Sequence, residues 1–107
     1  MTPVVYRVYD RLGTLLYIGS TSEINQRKAI HMADRASAIA WAMQMCADRW
    51  DLTEYPDMES AKKAEREAIT AEAPYLNRQH NPKRWKRVAG KWQALTELYA
   101  MAWRDAA

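Results

Sequence analysis

The run Pro3-Val-Val-Tyr-Arg-Val-Tyr9 is β-branched and aromatic, Asp10-Arg-Leu-Gly13 supplies turn chemistry, and Thr14-Leu-Leu-Tyr-Ile-Gly19 is strand-like again. Two such runs joined by so short a turn predict an antiparallel β-hairpin. Counting by twos sets Val4, Tyr6 and Val8 on one face of the first strand, and Leu15, Tyr17 and Gly19 on one face of the second. In a matching register the two tyrosines share a face. The whole chain has 107 residues, enough for one small domain with a thin core, so any activity has to sit on that core.

After the hairpin, Ser20 and Glu23 have the spacing of a capping box and predict a first helix from about Glu23 into the thirties. A stretch from about Ala36 to Asp48, rich in Ala and Met, predicts a second helix apolar on several sides. Residues 49–55 alternate well enough for a short third strand. Asp57 is then the expected N-cap of a helix that Pro74 ends, with Ala61, Ala64, Ala68 and Ile69 forming its apolar arc. Asn81-Pro82 reads as N-cap and first position of a last helix, to about residue 104. The order implies an α+β fold in which helices flank a small three-stranded antiparallel sheet.

Composition narrows the class of chemistry. Hydrophobic residues at 49% and charged residues at 27% suit a folded domain. The single cysteine, Cys46, excludes an internal disulfide and a Cys-based zinc site. Arg7 and Asp10 interrupt the N-terminal apolar run before a secretion signal can form, and no stretch approaches the roughly 20 apolar residues of a membrane span. A soluble, cytoplasmic protein without a membrane partner is expected. The net charge of +3 is uneven: residues 1–77 hold nine basic and eleven acidic side chains, and residues 78–107 hold seven and two. All of the positive excess is therefore C-terminal.

His31 and His80 are the only histidines, so a histidine-rich metal cage is excluded and one carboxylate would carry most of any metal site. Hard cations such as Mg²⁺ accept that, because they keep several waters. Glu65 is the candidate: at 100° per residue it lies within about 40° of Ala61, on the core side of its helix. A carboxylate there is costly unless it is paired, metal-bound or at the edge of a cleft, and a salt-bridged or edge glutamate is the plain alternative. Arg27 and His31, spaced i, i+4, share a helical face that could hold a phosphate and move a proton, or could simply be solvated. Paired tyrosines on a strand are commonly core.

Taken in order, these residues resemble the GIY-YIG nuclease family. Val4-Val5-Tyr6, Tyr17-Ile18-Gly19, Arg27 with His31, Glu65, and Asn77 after Pro74 follow the family pattern across residues 3–80. The strings from Tyr17 to Arg27 and from Glu65 to Ile69 also resemble the incision domain of bacterial excision-repair nucleases. The resemblance implies an endonuclease, a phosphodiester hydrolase acting on DNA through a single divalent ion, Mg²⁺ or Mn²⁺. It further implies that Glu65 holds the metal, that Tyr17 or Tyr6 positions or deprotonates the attacking water, and that Arg27 stabilises charge on the phosphate. His31 would assist proton movement and Asn77 would orient the site. Two positions depart from the pattern: Val4 stands at the first glycine of the family name, and Ser20 at the lysine of the repair nucleases.

Beyond the resemblance, Arg78, Lys83, Arg84, Lys86, Arg87 and Lys91 place six cations within 14 residues without an acid, and are candidates for DNA-backbone contacts. Trp85, Val88, Trp92, Leu95, Tyr99 and Ala102 form a stripe along the same predicted helix. A single nuclease-like domain is expected, with a core of about residues 3–80 and a basic amphipathic helix over about 82–104. That helix docks on the core or pairs with a second copy or another protein. No helix-turn-helix or zinc-finger pattern follows, so sequence specificity is expected from loops, the basic helix, oligomerisation or a partner. The rival readings are a non-cleaving nucleic-acid-binding module and an interaction subunit that pairs through the last helix.

Overall fold

The structure is a computed structural model that describes residues 2–33, 43–44, 46–77 and 79–81. Three strands, β1 (Val4–Tyr9), β2 (Leu15–Thr21) and β3 (Arg49–Glu54), form an antiparallel sheet in the order β2-β1-β3. Helix α1 spans Ile24–Ala33 and helix α2 spans Met58–Glu72. The α+β class and the antiparallel sheet expected from the sequence are both present.

The near-continuous apolar run of β1 follows from its central place, because both of its faces are covered. On one face Tyr6 and Val8 pack with Leu16, Met43 and Leu76. On the other Val5 packs with Ile18 and with Ala61, Ala68 and Ile69 of α2. Arg7 shares that second face and forms a bidentate ion pair with Glu72 at the end of α2, at 3.0 and 2.7 Å.

The hairpin turn is organised by Asp10, whose Oδ1 accepts from the backbone N–H groups of Leu12 and Thr14 at 2.9 and 2.8 Å. Gly13 supplies the left-handed residue at φ 83°. The register pairs Tyr6 with Gly19 and Val8 with Tyr17, so the tyrosines do share a face. Leu15 does not join them. An irregularity between Val8 and Tyr9 pairs Tyr9 with Leu15 directly, which turns Leu15 toward α2 and leaves Leu16 on the tyrosine face.

Asp57 caps α2 as expected, its Oδ1 accepting from the Ser60 N–H at 2.7 Å. The helix closes at Ala73, which is left-handed at φ 47° and donates to the Ile69 carbonyl, immediately before buried Pro74. The expected Ser20–Glu23 capping box does not form. Strand β2 continues through Thr21, whose Oγ1 accepts from the Glu23 N–H at 3.0 Å, and the Ser20 hydroxyl turns to α2 instead.

Met43, Gln44 and Cys46 are helical, within the second helix expected over 36–48, and Ala47 and Asp48 have already left it. The remainder of that helix and the whole of the C-terminal helix, with its basic residues and aromatic stripe, lie outside the described residues. Among the described residues no helix is long and apolar enough to cross a membrane.

Candidate active site

Gly19 explains why the hairpin can hold a tyrosine in its face. A methyl group built on it would overlap the Tyr6 ring, so only glycine lets that ring lie across β2. The ring is almost fully buried and stacks at centroid distances of 6.1 Å from Tyr17 and 5.4 Å from Trp50. Helix α1 adds His31, whose Nε2 is 3.1 Å from the Tyr6 hydroxyl and whose ring lies 5.6 Å from Tyr17. The i, i+4 spacing thus brings His31 onto the tyrosines, while Arg27, one turn earlier, is exposed.

Both phenols ionise less readily than a free tyrosine. For Tyr6 burial is the leading cause, followed by the Tyr17 charge; the Arg27 guanidinium opposes them and Glu65 adds to them. For Tyr17 burial again leads, then the Glu65 carboxylate, with Arg27 opposing. Arg27 and Glu65 therefore act on the same two phenols from opposite directions.

Glu65 is half-buried on α2, where its Oε2 accepts from the Ser20 hydroxyl at 2.7 Å. It is a cleft-edge carboxylate oriented by a hydroxyl, which resolves the cost of placing it on the core side of the helix. The cleft has a volume of about 360 Å³ and is lined by Tyr17, Glu65, Ile69 and Asn77 among others.

Asn77 reaches it through a backbone role. Its Oδ1 accepts from the Ile18 N–H and its Nδ2 donates to the Ile18 carbonyl, both at 2.8 Å. The amide side chain closes the free edge of β2 beside Tyr17 and Gly19. Leu76 continues this pairing, donating to the Leu16 carbonyl at 2.8 Å.

Of the residues singled out from the sequence, Tyr17, Glu65 and Asn77 meet at the cleft. Tyr6 and His31 form a bonded pair behind Tyr17, and Arg27 stands outside within electrostatic reach. Arg78, Lys83, Arg84, Lys86, Arg87 and Lys91 lie outside the described residues. Sequence reasoning missed Trp50 in the aromatic cluster. Its signal was strand parity, since pairing with Val8 puts it on the tyrosine face.

Among the described residues no three His, Cys, Asp or Glu side chains converge as a metal cage would require. One oriented carboxylate in an open cleft instead fits a hard cation that keeps its waters and shares a substrate phosphate.

A family model described as the GIY-YIG catalytic domain matches residues 2–81. No curated protein and no solved structure gives a significant match. The family match runs from the strand that carries Tyr6, through the helix that carries His31 and the helix that carries Glu65, to the connector that bonds β2. Because one model accounts for every element that builds the cleft, over about three-quarters of the sequence, the chain belongs to the GIY-YIG family and has a nuclease-type domain.

Proposed function

We propose that the chain is an endonuclease that hydrolyses DNA phosphodiester bonds with one divalent ion, Mg²⁺ or Mn²⁺, held at Glu65. The observation that carries this reading is the meeting of Tyr17 and the Ser20-oriented Glu65 carboxylate on one cleft. A bound ion would polarise the phosphate as a Lewis acid. Tyr17, kept neutral by burial and by Glu65, has a hydroxyl suited to orienting the attacking water by hydrogen bonding. Arg27 places positive charge near both phenols, where it can stabilise charge developing on a phosphate oxygen. His31, bonded to the Tyr6 hydroxyl and in ring contact with Tyr17, can assist proton movement at the site. Asn77 holds the backbone that carries Tyr17 and Gly19. The cations at Arg78, Lys83, Arg84, Lys86, Arg87 and Lys91 supply contacts to the DNA backbone.

Supercoiled plasmid incubated with the protein and either metal tests the reading. Conversion to nicked or linear DNA is expected, abolished by a chelator. Removing the charge in Glu65→Ala or Arg27→Ala should slow conversion by about 10²–10³-fold, the scale of losing one transition-state contact. No conversion, or conversion undiminished in both variants, would overturn it.

A further inference from the structure

We propose that Lys62, Arg66 and His80 form a binding site for the DNA phosphates that flank the scissile one, an extension that rests on the nuclease reading above. Lys62, Glu65, Arg66 and Ile69 are spaced i, i+3, i+4 and i+7, which places them on one stripe of α2, and all four line the cleft. A phosphate brought to Glu65 meets a carboxylate. Lys62 and Arg66, on either side of it along the stripe, offset that charge.

His80 lines the same cleft and is held in place by its backbone. It is left-handed at φ 62°, a conformation uncommon for a residue with a side chain and maintained only where the surroundings over-determine it. Two anchors do so here. The Thr70 hydroxyl of α2 donates to the His80 carbonyl at 3.0 Å, and buried Asn81 donates to the carbonyls of Pro74 and Asn77 at 2.6 and 3.0 Å.

A second hollow of about 480 Å³ is lined by Arg66, Glu67, Thr70, Ala71 and His80. Arg66 and His80 belong to both hollows, so the surface beside Glu65 is a continued track. A track suits a polymer of phosphates. The arginine fork can take two phosphate oxygens, the lysine acts as a point charge, and the imidazole offers an N–H.

The test uses the full chain with Glu65→Gln to prevent cleavage, and a fluorescein-labelled DNA duplex whose binding is read by anisotropy over a range of salt. Lys62→Ala and Arg66→Ala are each expected to weaken binding and to reduce the slope of log K against log salt by about 0.9. Lys63→Ala removes an equal charge from an exposed position of α2 outside the cleft and should leave the slope unchanged. Lys62→Gln and Arg66→Gln replace the alanine variants if thermal melting shows those to be unfolded. Slopes unchanged in both cleft variants, or an equal fall in Lys63→Ala, would overturn the site. The readout needs no cleavage. Binding through the cleft by a chain that never cuts plasmid would refute the nuclease reading alone, and cutting with unaltered slopes would refute this site alone.

Discussion

At the scale of single residues, the site is built around one packed phenol. Tyr6 fits because Gly19 has no side chain, and its ring cannot yield to a larger neighbour because Tyr17, Trp50 and His31 surround it. Burial pushes its pKa well above that of a free tyrosine, with the Tyr17 and Glu65 charges adding to the effect against Arg27. The fold therefore favours the neutral phenol. Its contribution is complete below the unfolded value of about 10 and is lost as pH climbs from there through the higher folded value. The protein is expected to lose melting temperature over that alkaline range. Tyr6→Phe should begin lower by the lost hydrogen bond, about 0.5–1.5 kcal/mol, and then fall less steeply. Melting curves recorded across that range decide it, and parallel declines for parent and variant would remove the assignment to Tyr6.

At the scale of elements, the edge of β2 is the hinge of the design, because it is where α2, the 74–81 connector and the hairpin meet. Asn77 acts there as a strand in miniature, satisfying both backbone groups of buried Ile18. Asn77→Ala leaves that N–H and C=O without their partner. At about 1–3 kcal/mol for each of the two orphaned groups, roughly 2–6 kcal/mol of stability should disappear, measurable by urea titration. The exposed Arg7–Glu72 pair gives a contrast, since pairs of this kind contribute about 1 kcal/mol or less and are screened by salt. The three strands and two helices described above were legible in the sequence because their signals are local. Period two gave the tyrosine face, Asp57 and Pro74 bracketed α2, and Ala61, Ala68 and Ile69 gave its buried side. What was not legible depends on distant partners. Leu15 changes face through an irregularity set by packing, and Ser20 leaves the helix start for a carboxylate 45 positions away. The places of Asn77 and His80 depend on the edge of β2 and on Thr70 of α2, respectively. Helical angle alone puts Glu65 on the core side of α2, but nothing local names the hydroxyl that orients it.

At the scale of the whole molecule, charge is divided by position in the chain. The net charge of +3 combines a slightly acidic body through residue 77 with a strongly basic remainder, while the groups proposed for the chemistry, Tyr17, Arg27, His31 and Glu65, all lie in the body. Affinity and turnover should accordingly separate. In the full chain, replacing Lys83, Arg84, Lys86 and Arg87 together by glutamine removes four cations and leaves every described cleft-lining residue unchanged. If each neutralises one phosphate, the slope of log K against log salt should fall by about 3.6 in total, at about 0.9 per contact on duplex DNA. Binding at moderate salt should weaken steeply for the same reason. The rate of plasmid nicking at saturating DNA should stay within about twofold of the parent, since backbone contacts made equally in ground and transition states change KM and not kcat. A fall in kcat with an unchanged salt slope would mean that these residues serve the catalytic body itself. Unchanged affinity and slope would move the whole electrostatic contribution to α2 and the cleft.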